Sequence, residues 1–173
     1  LVREFPDVEQ MVRINNQGDI LVKKDNQNVQ EHHAAFADST FFKVFTIPMI
    51  EGNPATALND PGSIVIDETT AKKYFRNIDS AMGKVVEMDK DKQLKVTAIA
   101  KDVPSNSHLY FDLVVPLSNW YNEPWFNVWI NNNNFTYVQL NEQTSKAQLE
   151  KQFPQFMHKY MEKELQQLGA QFS

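Results

Sequence analysis

The chain has 173 residues and a mass of 20.0 kDa, enough for one compact domain or two small subdomains around a packed core. Hydrophobic residues make up 42% and charged residues 23%, an ordinary globular balance. The 17 basic and 22 acidic side chains leave a net charge of −5, the wrong sign for a nucleic-acid surface or a polybasic membrane patch. There is no cysteine, which excludes disulfides, thiolate nucleophiles and Cys-ligated metal centres.

No apolar run approaches the roughly 18 residues of a membrane-spanning helix. Leu1 opens the chain without an initiator methionine, a charged leader or an apolar signal segment, the pattern expected of a piece excised from a longer polypeptide.

In chain order, Pro6, Asp7 and Glu9 precede Val8, Met11 and Val12 at i, i+3 and i+4, which predicts a short front helix. Asn16-Gln17-Gly18-Asp19 reads as a turn, Ile20–Val22 as a strand, and Asp25-Asn26-Gln27-Asn28 as a second turn, so that 11–36 forms a small meander. Asp38 stands as N-cap of a helical segment ending at Phe45, with Phe41, Phe42 and Phe45 as core. Ser63–Ile66 is a buried-strand pattern, and Asp67 caps a helix carrying Ala71, Tyr74 and Phe75.

Lys84–Met88 and Leu94–Ala100 read as two strands joined by the charged turn 89–92. Leu94, Val96, Ala98 and Ala100 are placed on one face. Tyr110–Val115 and Phe135–Leu140 are further strands. Ser145 with Gln148 is a capping box opening a long final helix. Leu149, Phe153, Phe156, Met157, Tyr160, Met161, Leu165 and Leu168 trace its apolar stripe, Pro154 breaks it, and Gly169 stops it. The result is an α+β chain with at least seven strands and three or four helices.

Candidate chemistry is sparse. His32 and His33 follow Glu31, but neighbours on a strand point to opposite faces and do not share a metal. His108, Asp112 and Ser107 suggest an oriented base beside a hydroxyl. A nucleophilic serine also needs an elbow and an oxyanion hole, and no Gly-x-Ser-x-Gly occurs. Gly83-Lys84 lacks the remainder of a phosphate loop, and five glycines form no dinucleotide fingerprint. No catalytic residue, metal ligand or cofactor-binding residue is assigned.

The segment 119–134 is different. It holds all three tryptophans and seven asparagines, four of them consecutive at 131–134. Asparagine competes for backbone hydrogen bonds and favours irregular structure, so a long surface excursion with aromatic anchors is expected. Trp120, Tyr121, Trp125, Phe126 and Trp129 are candidate contacts for a partner or a sugar. The competing expectation is that these rings cap a thin core between two lobes.

The order of short motifs carries a resemblance. Asp38-x-x-Phe41-Phe42-x-Val44-Phe45, Gly52, Leu58-x-x-Pro61, Ile64-Val65-Ile66 and Ala71-x-x-Tyr74-Phe75 come first. Gly83-Lys84, Val96-x-Ala98-Ile99, Asp102-Val103-Pro104 and Asn106-Ser107-His108-x-x-Phe111-Asp112 follow. From about Phe5 to Tyr160 the chain resembles the periplasmic core domain of MacB-like, or FtsX-like, ABC-transporter permeases of the Bacteroidetes type.

The resemblance implies a two-lobed α+β domain. Residues 1–36 and 135–173 would form a discontinuous porter-like α/β lobe, and 37–134 an inserted mixed Sabre-like lobe. It also implies an extracytoplasmic, periplasmic domain of an inner-membrane protein, held between the first two membrane helices of a permease. The domain would bind no cofactor and catalyse nothing, but relay ATP-driven motion to export or handling of substrates outside the membrane. The implied partners are the permease's own membrane helices, a second permease copy, a cytoplasmic ATPase domain reached through those helices, and a periplasmic adaptor with an outer-membrane channel. The alternative is an extracytoplasmic sensory or carbohydrate-binding domain using Trp120, Trp125 and Trp129. A hydrolase around Ser107, His108 and Asp112 is a third reading.

Overall fold

The fold was taken from a computed structural model, which describes residues 1–169 apart from Asn26, Ile130, Asn132 and Leu168. The front of the chain is a strand, not a helix. After a turn in which the Phe5 N–H donates to the Leu1 carbonyl, strand β1 runs over Val8–Lys24 and returns as β2 over Gln27–Ala37. Val8, Val12 and Ile14 fit a pleated surface as well as a helical stripe. A helix of one or two turns is marginal alone, whereas this strand has partners on both edges.

The expected turn at 16–19 is a β-bulge. Gly18, at φ 75°, sits between two register shifts in the β1–β2 ladder. An extra residue flips the alternation. Val12 and Ile14 therefore join one core cluster, and Ile20 and Val22 the other.

The chain continues through α1 (Phe41–Val44), β3 (Met49–Gly52), β4 (Ser63–Asp67), α2 (Glu68–Phe75), β5 (Val85–Met88), β6 (Lys92–Ala100) and β7 (Leu113–Pro116). It ends in β8 (Phe135–Leu140), α3 (Lys146–Glu150) and α4 (Phe153–Gln167). Asp67 caps α2 as expected, accepting the Thr70 N–H at 2.7 Å. The Ser145–Gln148 capping box is formed, and the helix expected as one piece is two, separated just before Pro154. Of its stripe, Leu149 is buried while Met157 is 40% exposed; Leu168 lies outside the described residues.

The strands form a ring. β1 pairs with β2, β2 with β7, β7 with β4, β4 with β6, β6 with β5, and β5 returns to β1 through Val22 and Lys23. β3 joins outside on β6, and β8 on the first half of β1. The ring joins strands from both sides of the boundaries expected near 37 and 134.

Its inner face takes side chains from all six members, among them Ile20, Phe36, Ile64, Met88, Leu94 and Leu113, with Ala71 and Tyr74 of α2 closing it. The outer face carries Val12, Ala35, Val65 and Val114 beneath Phe41, Phe42, Leu58 and Phe111. Each of the larger side chains, Val, Leu, Ile, Phe or Met, stabilises the fold by about 1.5–3 kcal/mol through burial.

A register shift between Ile64 and Val65 against Val96 and Ala98 skips Thr97. Leu94, Val96 and Ile99 consequently lie on the inner face, and Ala98 and Ala100 on the outer. That corrects the single face expected for Leu94, Val96, Ala98 and Ala100.

Candidate functional site

The structure separates the candidate catalytic groups. The Asp112 carboxylate accepts the His33 N–H at 3.3 Å and lies 3.2 Å from His33 Nδ1. The His108 ring instead stacks on Tyr137 at 5.8 Å and 29°, and the Ser107 hydroxyl accepts the Leu109 N–H. Asp112, His108 and Ser107 thus each serve a different neighbour. His32 turns the other way, 2.6 Å from Asp19.

Two buried acidic centres were missed by sequence reasoning. Glu31, 3% exposed, accepts two hydrogen bonds from Lys73 and one from the Tyr74 hydroxyl, fastening α2 to β2. Burial, then Glu31, raises the Tyr74 pKa. Asp67 is buried near Asp102 and Asp112. Desolvation pushes it up to about 6, against the opposing bonds from Thr70. At Asp102 the bonds donated by Thr69 outweigh burial and hold the carboxyl below its usual range.

Asp38 does not cap α1, whose N-cap is Thr40 without a side-chain bond. Its carboxylate is drawn to Arg13, accepting the Arg13 backbone N–H, Nε–H and Nη2–H, each at 2.9 Å. It also accepts the Tyr121 hydroxyl at 2.7 Å. The guanidinium lies 5.2 Å from the Tyr121 ring centroid and 5.1 Å from that of Phe126, a cation–π arrangement on two faces. Burial works against the charge on Arg13, but Asp38 raises its pKa overall. Burial, then Asp38, pushes the Tyr121 phenol up to about 12. Two ring residues and the irregular segment share one charge.

The aromatic segment is therefore anchored more than it is presented. Two 3-10 turns, Leu117–Trp120 and Pro124–Asn127, shape it. Trp120 packs on Phe36 at 4.3 Å, and Tyr121 and Phe126 meet each other and Arg13. Tyr121, Trp125 and Trp129 are the more open rings, 39%, 40% and 44% exposed. Trp129 stacks on Tyr160 of α4 at 4.7 Å and 22°, and touches Phe156. The asparagines tie the segment to its own backbone: Asn127 Nδ2 donates to the Tyr121 carbonyl, and Asn131 Nδ2 to the Trp125 carbonyl. Asn132 lies outside the described residues.

Beneath this segment residues 1–8 meet α3 and α4. Phe5 packs against Phe153 and Phe156, while Lys159 and the Tyr160 hydroxyl both donate to Glu4. Leu1, Val8, Val138, Leu140 and Leu149 complete the cluster.

A family model, the MacB-like periplasmic core domain, matches residues 1–156. The chain belongs to this family. The MacB-like fold extends to solved structures. A domain of a putative permease protein from Porphyromonas gingivalis superposes with a TM-score of 0.78 at 23% identity, over 92% of this chain and 74% of that one. The periplasmic region of MacB from Actinobacillus actinomycetemcomitans gives 0.67 at 14%, over 91% and 70%. The extracellular domain of the noncanonic ABC-type transporter YknZ from Gram-positive bacteria gives 0.57 at 16%, over 84% and 70%. These likenesses concern the fold.

No curated protein matches the chain. Among the described residues of this MacB-like domain, no helix is long and apolar enough to cross a membrane.

Proposed function

We propose that this MacB-like domain is the periplasmic part of an ABC-transporter permease subunit in the inner membrane, a mechanical element without catalysis of its own. The observation that carries the proposal is the junction of residues 1–8 with α3 and α4, where Phe5 packs on Phe153 and Phe156 and Glu4 binds Lys159 and Tyr160. A part moved by two membrane helices needs the segments that lead to them bonded into one rigid base, so that displacement of either helix moves the whole body.

In this reading the membrane helices belong to the same parent chain, and a cytoplasmic ATPase domain drives them in a dimer of permease copies. The periplasmic body then acts on a substrate outside the membrane, through an adaptor and an outer-membrane channel. Residues 1–36 with 135–173 serve as the porter-like lobe and 37–134 as the Sabre-like lobe. The β2–β7 and β1–β5 ladders are their joint.

The sequence of the parent gene tests the proposal. One hydrophobic helix before Leu1 and three after Ser173 are expected. A secretory signal followed by a stop near Ser173 overturns the permease and leaves the carbohydrate-binding reading, which glycan binding weakened by Trp125→Ala would support.

A further inference from the structure

The permease reading leaves the Asn- and Trp-rich segment without a role, yet it makes contacts with both α4 and β1. At one end Trp129 lies flat on Tyr160 and against Phe156, both on α4. At the other, Tyr121 and Phe126 enclose Arg13 of β1, and Tyr121 shares Asp38 with it. Between the two ends, Trp125 packs edge-on to Phe126 at 5.9 Å. Asn127 and Asn131 tie each half to a carbonyl six residues earlier. Asn119 Nδ2 anchors the beginning on the Pro61 and Pro116 carbonyls at 2.8 and 2.9 Å.

A loop outside any ladder satisfies its backbone groups through turns, side chains or water. Here backbone turns, such as the Phe126 N–H donating to the Glu123 carbonyl, are joined by asparagine, which offers a short arm with two donors. Those bonds brace residues 119–129 and Asn131 against a slack connection. The contacts at its two ends are of different kinds, a ring stack on the helix and a partly buried ion pair at the sheet. Phe126 and Trp120 also pack against the ring core that Ala71, Tyr74 and Leu117 close, whereas Trp129 meets Phe156, which packs on the separate cluster around Phe5 and Leu149.

We infer that residues 119–129, tied back by Asn131, form a strap that couples α4 to the strand ring, with Trp129 and Arg13 as the positioning residues at its two ends. Displacement of α4 carries Trp129 with it, and the cross-tied strap passes the load to Arg13 and Asp38, at the point where β1 and β2 enter the ring. This deepens the permease reading and rests on it for the origin of the motion. The coupling itself is a property of the 173-residue chain.

The test follows exchange of the Arg13 Nε proton by NMR in the full 173-residue chain. That proton is held by Asp38 at the far end of the strap from Trp129. In Trp129→Ala, exchange is expected to quicken at least about ten-fold while the inner-strand amides of β4 and β6 keep their protection, as a local opening requires. Asn131→Ala, which removes one internal tie and touches neither end, is expected to act in the same direction. Val85→Ala, on an exposed side chain of β5, leaves the rate unchanged.

An Arg13 Nε rate unaltered in both Trp129→Ala and Asn131→Ala overturns the strap. If Trp129→Ala loses protection throughout, Trp129→Phe with Asn131→Ala decides by the same criterion. A parent gene without membrane helices sinks the permease reading and leaves this measurement untouched.

Discussion

At Gly52 the backbone stands at φ +95°, and a Cβ placed there lies 2.5 Å from the Ala98 Cβ and 2.7 Å from its Cα. Gly52→Ala combines a steric clash with an unfavourable backbone region, and a loss of about 2–4 kcal/mol is expected in urea unfolding. Gly18, also at positive φ, has nothing within 4 Å of its added Cβ, so Gly18→Ala costs only the conformational strain, about 1 kcal/mol. Equal losses at the two positions contradict the β3–β6 contact as described.

Asp67 gives a residue-level pH prediction. Its folded pKa, about 6, stands above the ordinary value of 3.8 because burial disfavours the carboxylate. The folded state therefore holds that proton more tightly than the unfolded chain. The contribution is fully present below about pH 4 and is lost as pH rises through about 6. Asn also serves as an N-cap, so the stability of Asp67→Asn relative to the parent should improve between pH 4 and 7 and level off above. A pH-independent difference in denaturation midpoints contradicts the assignment.

Asp38 shows what local sequence conceals. Its spacing ahead of Phe41 suits a cap, but a partly buried guanidinium 25 residues earlier offers a stronger bond than a helix end of one turn.

At the scale of elements, the helix signals that depend on neighbours in sequence were legible: Asp67, the Ser145–Gln148 box and the break at Pro154 all stand where the residues placed them. Strand signals were legible in position but not in phase. The bulges at Gly18 and Thr97 are set by which partner strand lies alongside, information that is not local. The front strand was lost because Val8, Met11 and Val12 fit a helical stripe while Val8, Val12 and Ile14 fit a strand, and its partner β8 lies more than 120 residues later in the chain.

The α2 terminus yields a further prediction. Arg76 holds φ 61° as its C-cap, a conformation that glycine adopts without the Cβ penalty. Arg76→Gly is expected to stabilise the chain by about 0.5–1 kcal/mol, read as a higher urea midpoint. A lower midpoint means that the arginine side chain contributes more than its backbone costs.

Over the whole molecule, closure of six strands into a ring and the junction of residues 1–8 with α3 and α4 make a body with few independent parts. The family resemblance, carried by ordered short motifs, was legible from Phe5 to Tyr160, and the family model covers residues 1–156. The aromatic segment's attachments were not, because cation–π contact and stacking on α4 bring together residues far apart in sequence.

The most direct measurement uses the absence of cysteine from these 173 residues, with any cysteines elsewhere in the parent permease replaced. A single spin label at Lys90→Cys, on the β5–β6 turn, reports the separation of two copies of this domain in the reconstituted permease with its ATPase. A relay predicts that the distance distribution shifts when ATP binds and returns after hydrolysis. An identical distribution in both states, while ATP is being turned over, contradicts it.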